Sequence, residues 1–322
     1  MSEIAISFKD LVLEFGAVRA LDGVSIDVRA GKILGIVGES GSGKSTVGFA
    51  AGRLMPHGVR PASGKLEVLG KDVWSLPIEE MRAMRIADLR YIFQDPIATL
   101  DPTKKVGAQI GEAATKTPSL SAIHDVLREV GMNDPETAAR AWPHELSGGM
   151  AQRVVIAMAL ISAPKVIIAD EATSALDASV RTRILELMRE ASRARGITLL
   201  LLSHDLWAVR KFCDDIAVMY AGRVVEQGPA EAIFAQPAHP YTQALIAATV
   251  GHEKRGEKLA TIEGIPPQLR GPSKGCAFAP RCAHANWAVC DTRRPEYEQK
   301  EDRWILLCHR WREIAGGANG PD

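Results

Sequence analysis

Long apolar runs are missing from this chain of 322 residues. None approaches the ~18 residues of a membrane-spanning helix. The densest stretches, Val154–Ile161 and Ile197–Leu202, are far too short, so membrane spans are excluded. The start, Met1-Ser2-Glu3-Ile4, has neither a basic n-region nor an apolar h-region, which predicts a chain that stays in the cytoplasm. An excess of one charge is also missing: 39 Lys and Arg stand against 39 Asp and Glu, for a formal net charge of zero. That balance gives no support to nonspecific nucleic-acid binding. No internal repeat is visible. There are five cysteines, and in a cytoplasmic chain they are expected as thiols or metal ligands, not disulfides. What remains is an ordinary globular composition, 46% apolar and 24% charged, with ample core for one large domain plus an appendage.

Residues 4 to 30 alternate apolar and polar, with Val24, Ile26 and Val28 facing one way and Ser25, Asp27 and Arg29 the other. This pattern predicts antiparallel strands with one wet face, and Gly64–Gly70 reads as another strand. Residues 75 to 90 carry Met81, Met84 and Leu89 among charges, as an amphipathic helix would. From Asp95 to Pro143 no strand pattern occurs. Ile123, Val126, Leu127 and Val130 recur at helical spacing, and Gly131 is a good stop. Residues 147 to 228 return to α/β character, where Val166–Ala169 and Ile197–Leu202 suit parallel strands covered on both faces. Residues 229 to 250 read as helix interrupted near Pro237 and Pro240. A Pro/Gly-rich link, a cysteine-bearing tail and a disordered end at Gly316–Asp322 are expected after that.

The most telling stretch is Gly38-Glu39-Ser40-Gly41-Ser42-Gly43-Lys44-Ser45-Thr46, which fits G-x-x-x-x-G-K-[ST]. It follows the apolar strand Ile33–Val37 and precedes a helical segment from Val47. Glycines there let backbone N–H groups close around phosphate oxygens at a helix N-terminus. Lys44 would reach the β- and γ-phosphates of ATP, and the Ser45 hydroxyl would ligate Mg²⁺.

Three further buried strands end in polar residues: Tyr91-Ile92-Phe93 at Gln94, Val166–Ala169 at Asp170-Glu171, and Ile197–Leu202 at Ser203-His204. Ligands of open parallel sheets bind at the carboxyl ends of strands, so one ATP site can collect all of them. Adjacent strand-end side chains point apart, which splits the work. Asp170 suits the Mg²⁺ shell and Glu171 is the base for the attacking water. A second anion-binding helix start lies at Leu146-Ser147-Gly148-Gly149-Met150, where Ser147 can cap the helix that follows.

In this order the motifs resemble the nucleotide-binding subunit of an ABC transporter over residues 3 to 250. The resemblance identifies Ser147, Gly148 and Gly149 with the signature motif, Gln94 with the Q-loop (a Mg²⁺ contact and catalytic position), and Asp170-Glu171 with the Walker B end. It also identifies Ser174-Ala175-Leu176-Asp177 with the D-loop, His204 with the switch histidine and Phe15 with the aromatic that stacks on adenine. It implies an α/β P-loop ATPase core with a mostly parallel sheet, an antiparallel β subdomain and a helical subdomain at about 97–155. The ATPase domain would span 1–250 and a small cysteine-bearing extension 251–322. It implies a head-to-tail dimer in which each ATP sits between one subunit's phosphate loop and the other's signature helix. The finer resemblance is to dipeptide/oligopeptide/nickel importer ATPases, through Tyr91-Ile92-Phe93-Gln94-Asp95-Pro96, Pro143-His144-Glu145-Leu146, His239-Pro240-Tyr241-Thr242-Gln243-Ala244-Leu245 and Gly275-Cys276-Ala277-Phe278-Ala279-Pro280-Arg281-Cys282. Ala172 and Ala151 depart from the family's usual proline and basic residue without removing a catalytic group, and the helical insertion is short.

The implied partners are two membrane-spanning permease subunits, a second ABC ATPase or another copy of this chain, and an extracytoplasmic solute-binding protein, with no nucleic acid. The implied place is the cytoplasmic face of the inner membrane. A soluble ABC ATPase of translation or repair is the alternative. Such proteins usually carry two ATPase units or a long coiled coil, and neither is here.

Cys213 lies in the core segment. Cys276, Cys282, Cys290 and Cys308 follow a C-x₅-C-x₇-C-x₁₇-C spacing. Structural zinc sites use tighter C-x₂₋₄-C pairs, and four thiolates can hold a [4Fe–4S] cluster. Cluster, zinc and free thiols all remain open on spacing, with His284 and His309 as reserve ligands. Tails that resemble this one are associated with the cluster.

Overall fold

The computed structural model describes residues 3–174, 176–249, 261–301 and 303–317. It opens with the antiparallel strands β1 (Ile4–Phe15) and β2 (Val18–Arg29), then β3 (Ile33–Val37) and helix α1 (Lys44–Gly52). Next come β4 (Pro61–Val68), β5 (Lys71–Asp72), α2 (Ile78–Ala87) and β6 (Leu89–Ile92). Five helices follow: α3 (Pro96–Thr99), α4 (Val106–Ala113), α5 (Leu120–Glu129), α6 (Pro135–Arg140) and α7 (Gly148–Leu160). The core then continues through β7 (Val166–Asp170), α8 (Ala178–Arg195), β8 (Thr198–Leu202), α9 (Leu206–Phe212), β9 (Asp215–Tyr220) and β10 (Arg223–Pro229). The chain ends with α10 (Ala230–Ala235), α11 (Pro240–Ala247), α12 (Trp287–Cys290), β11 (Glu298–Glu301), β12 (Trp304–Leu306) and α13 (Trp311–Gly317).

Two sheets result. One is antiparallel, in the order β2-β1-β4-β5; the other has eight strands in the order β11-β12-β10-β9-β3-β8-β7-β6. The pairs among β6, β7, β8, β3 and β9 are all parallel. Strand periodicity explains why the centre of that sheet is apolar throughout. Leu34, Ile36, Ile168, Leu200, Leu202 and Met219 point to the face covered by the antiparallel sheet and α1. Their neighbours Ile33, Val37, Ile167, Leu199, Leu201 and Val218 point to the face covered by the helical layer. A strand buried on both sides has no polar position until it ends.

Two expectations change here. Leu89 opens β6, so the amphipathic helix stops at Ala87, one turn sooner than its apolar spacing suggested. Leu89 pairs with Val166, and this sheet contact decides its conformation. The cysteine-bearing tail is also no mere appendage. Its hairpin β11–β12 pairs with β10 through Glu226↔Leu306 and Gln227↔Ile305 and extends the central sheet. Gly316 and Gly317, expected in a disordered end, close α13. Residues 318–322, the start of the extension at 251–260, and Ala175 of the D-loop segment lie outside the described residues.

Candidate ATP site

The parallel register brings the strand ends level. Ile36 and Asp170 both pair with Leu202, and Ile92 pairs with Ala169. The loops that leave β3, β6, β7 and β8 therefore start along one edge. After β3 the chain turns through Gly38 (φ 155°) and Gly43 (φ 106°) into α1. A Cβ on Gly38 would lie 2.2 Å from the Met219 carbonyl oxygen, and one on Gly43 2.9 Å from that of Ala20. Only glycine lets the loop pack this closely at these torsions. Lys44 begins α1 and is 94% buried; its Nζ donates to the carbonyls of Gly38 at 2.8 Å and Glu39 at 3.0 Å. Burial lowers its pKa, while Glu171, Asp170 and Glu39 work against that shift.

Ser45 Oγ donates to Asp170 Oδ1 at 3.0 Å, and Tyr91 Oη donates to Asp170 Oδ2 at 2.8 Å. Burial raises the Asp170 carboxyl pKa, opposed by these two hydrogen bonds and by Lys44. A hydroxyl beside a carboxylate is the hard oxygen donor set that suits Mg²⁺. A bound cation would favour the ionised carboxylate and reverse the burial effect.

Glu171 sits one residue on, at φ 45°, a left-handed conformation that costs a non-glycine residue about 1 kcal/mol or more. Its amide donates to the Leu202 carbonyl at 2.9 Å, which holds the turn. The turn aims the carboxylate away from Asp170 and between two other groups. Gln94 Nε2 lies 3.3 Å from Glu171 Oε2 and 3.3 Å from Ser174 Oγ, and His204 Nδ1 lies 3.3 Å from Glu171 Oε2.

Ser40, Gly41, Gly43, Lys44, Ser45, Thr46 and Glu171 line one cavity, and Gln94 and His204 reach it through Glu171. Other predicted residues stand elsewhere. Ser147 caps α7, its Oγ accepting from the Met150 amide at 3.3 Å. With Gly149, Arg153 and Arg183 it lines a separate pocket that shares no residue with the first. Gly148 starts the same helix, and Asp177 caps α8 by accepting from the Ser179 and Val180 amides. Phe15 ends β1 opposite Val18, and Val18 rather than Phe15 lines the phosphate-loop cavity.

Sequence reasoning missed two contributors. In sequence Tyr91 is only part of a strand, yet its hydroxyl reaches Asp170 past Gly48, where a Cβ would lie 3.0 Å from Tyr91 Oη. A tyrosine in an otherwise apolar strand needs a polar partner for its hydroxyl, and that was the available signal. Tyr91→Phe should raise the Mg²⁺ concentration for half-maximal ATPase about ten-fold or more, the scale of one lost hydrogen bond to a charged group. Thermal unfolding should move little. The second contributor is Pro267-Gln268-Leu269, a wall of the same cavity, whose Leu269 carbonyl accepts from the Arg19 amide at 2.9 Å. Nothing local in the sequence marks it, because the link is brought there by the tail.

The four tail cysteines also converge. Cys276, Cys282, Cys290 and Cys308 line one pocket with His239, His284 and His309. Burial pushes the Cys276 and Cys282 thiols up, and Cys308 to about 12. Among the described residues, however, no group of three or more His, Cys, Asp or Glu is arranged to hold a single metal ion. Cys213 is packed in the core beside Gly35, with its thiol pKa raised by burial. His239 is 99% buried and accepts from the Tyr241 amide through Nδ1 at 3.0 Å. Burial lowers its pKa to about 3 from 6.5. A depressed base binds fewer protons folded than unfolded, so its contribution is full above about pH 6.5 and is lost as the pH falls toward 3. The melting temperature should therefore fall from pH 7 to pH 4.5, and less steeply in His239→Asn, which keeps a capping acceptor without the titration.

The Gly38–Thr46 loop, the Asp170–Glu171 strand end and the separate Ser147 helix start define a P-loop ATPase of the ABC class. Residues 21–174 match the family described as ABC transporter, and residues 225–290 match the oligopeptide/dipeptide transporter C-terminal region. The chain is 40% identical to the dipeptide transport ATP-binding protein DppD of Bacillus subtilis (strain 168), over 95% of this chain and 94% of that protein. It is 40% identical to the oligopeptide transport ATP-binding protein OppD of Escherichia coli (strain K12), over 91% of this chain and 90% of that protein. Among solved structures, cbiO1 from Clostridium perfringens, part of an ABC transporter complex, superimposes with a TM-score of 0.65 at 28% identity, over 73% of this chain and 92% of that one. The chain belongs to the ABC transporter ATP-binding family, in the branch of the dipeptide and oligopeptide transport ATP-binding proteins. It hydrolyses ATP to power transport. Among the described residues no helix is long and apolar enough to cross a membrane.

Proposed function

We propose that this chain energises import of peptides, or of a related small solute, from the cytoplasmic face of the inner membrane. It would act with two membrane-spanning permeases, a second ABC ATPase or another copy of itself, and an extracytoplasmic solute-binding protein. The observation that supports this is that the Lys44 cavity and the Ser147 pocket, which we read as two nucleotide half-sites, share no lining residue. A half-site that does not face its own phosphate loop serves a second subunit. ATP that touches both only when the subunits close shifts the population toward closure, and closure drives the permeases between facings.

In this reading Gly38, Ser40, Gly41, Gly43 and Thr46 present the loop to the phosphates, and Lys44 neutralises their charge. Ser45 and Asp170, with Gln94, would hold Mg²⁺, whose chemistry is to offset charge on the transferring phosphoryl group. Glu171 accepts the proton of the attacking water, and His204 and Gln94 hold that carboxylate and water in register. Ser147, Gly148, Gly149 and Asp177 complete the partner's site, and Phe15 stacks on adenine. Affinity purification from native membranes in mild detergent tests the assembly. Co-purifying multi-span permeases and a solute-binding protein support it; ribosomal or repair proteins without membrane proteins overturn it.

The reading of a [4Fe–4S] cluster in the tail rests on the resemblance and on Cys276, Cys282, Cys290 and Cys308 lining one pocket, four thiols being the ligand number such a cluster takes. The cluster would act as a structural staple, tying the Cys276–Cys290 segment to Cys308 beside the hairpin that extends the sheet. Iron and acid-labile sulfide analysis after anaerobic preparation tests this. A colourless, iron-free protein with normal ATPase activity sinks it.

A further inference from the structure

The phosphate loop is gripped from outside the ATPase core, at one residue. Glu39 is engaged at three places. Its amide donates to Tyr241 Oη at 2.9 Å, its carbonyl accepts from Lys44 Nζ at 3.0 Å, and its carboxylate takes both ends of the Arg281 guanidinium, at 2.7 and 3.0 Å. Arg281 lies 242 residues later in the chain, next to Cys282, and its side chain is only 4% exposed. A two-pronged Arg–carboxylate pair sets direction as well as distance, and shielding from solvent makes it stronger than a surface pair.

Of the remaining donors of Arg281, Nη1 also reaches Tyr220 Oη at 3.3 Å, and two point to the link that leads into the cavity. Nε donates to the Glu263 carbonyl at 2.8 Å and Nη2 to that of Ile262 at 3.1 Å. A few residues on, the same link supplies Pro267, Gln268 and Leu269 to the wall of the phosphate-loop cavity. The guanidinium also lies over the ring of Tyr220, 5.7 Å from its centroid. Tyr220 packs against Tyr241 and against Phe278 of the tail, at centroid distances of 4.6 and 5.2 Å. One cation thus fixes the loop that binds phosphate and the wall that faces it. It sits at the end of a short 3₁₀ turn, Ala279–Arg281, that leads directly into the cysteine pocket.

We propose that Arg281 is a positioning residue for ATP binding: by holding Glu39 and the 262–263 backbone together, it sets the shape of the phosphate loop and its facing wall. The C-terminal segment is thereby part of the nucleotide site. This rests on the ATP-site reading above. Catalytic groups are not displaced when the clamp is lost, since Glu171, Asp170 and His204 are held by other strand ends, so the effect falls on nucleotide affinity.

The test is steady-state ATPase and equilibrium binding of ATP with Mg²⁺ on the full chain, for Arg281→Met, Arg281→Lys, Glu39→Gln and the Arg281→Met/Glu39→Gln pair. Arg281→Met should raise KM and Kd for ATP about ten-fold, the scale of a lost charge-assisted pair, with kcat within about two-fold of the parent. Arg281→Lys should recover part of the affinity. The double variant should be no worse than the poorer single, because the two residues act as one unit. Equal KM in Arg281→Met and the parent, with only the melting temperature reduced, overturns the proposal and leaves a mere tether. Strict additivity of the two substitutions overturns it too. If Arg281→Met does not fold, Glu39→Gln and Arg281→Lys carry the same readout. A parent chain that bound no ATP would instead refute the ATP-site reading, a separate outcome.

Discussion

Glu171→Gln should reduce steady ATP hydrolysis by about 10²- to 10⁴-fold, the range for removing a positioned general base. It should leave ATP binding within a few-fold of the parent. The expectation comes from geometry more than from the motif. Glu171 is turned by its φ of 45° away from the Asp170 cation position, toward Gln94 and His204, each 3.3 Å from its carboxylate. Glutamine keeps the size and the hydrogen bonds but cannot take a proton. Phosphate release under single-turnover and steady-state conditions measures the loss, and nucleotide titration measures the binding. Hydrolysis that survived the change would place the base elsewhere. Asp170→Asn should behave differently, weakening the Mg²⁺ dependence, because Asp170 bonds Ser45 and Tyr91 and no group near the water position.

Glu226→Ala should be the most destabilising single change outside the site, at about 3–5 kcal/mol. Glu226 is fully buried on β10, and its carboxylate accepts from the Ala238 amide at 2.9 Å, the His239 amide at 3.0 Å and Trp304 Nε1 at 2.9 Å. Alanine would strand three buried donors, each at a cost of about 1–3 kcal/mol, partly relieved by water entering the gap. The three donors belong to the entry to α11 and to the tail strand β12, so the loss would loosen the join between core and extension. Glu226→Gln should cost less, because one amide oxygen can still serve two donors. Thermal unfolding should fall by roughly 10 °C for alanine and clearly less for glutamine. Equal melting temperatures for all three proteins would show that the carboxylate does not join these elements.

The nucleotide site was legible because its chemistry is local. The phosphate loop needs its glycines, lysine and serine within nine residues, next to an apolar strand, and Gly38–Thr46 meets that need with no help from the rest of the chain. The strand ends at Gln94, Asp170-Glu171 and His204 were legible for a related reason. A strand buried on both faces admits polar residues only where it leaves the sheet. Parallel pairing then brings those ends level, as Ile36, Asp170 and Leu202 show.

Other features follow from contacts between distant segments, for which a linear pattern holds no period. Leu89 fits a helical stripe with Met81 and Met84, and only its pairing with Val166 makes it a strand. Tyr91, Glu226 and Arg281 are ordinary residues in sequence. Burial changes them, because a polar group removed from water must find its partner within the protein.

The sequence by itself determined the class of the protein, the loop that binds phosphate and the carboxylates beside it, since these depend on neighbours along the chain. Only the tertiary structure decided that the tail continues the central sheet, that its four cysteines share one pocket, and that Arg281 closes on Glu39. Those facts depend on which surfaces the folded chain buries against one another, and burial is a property of three dimensions.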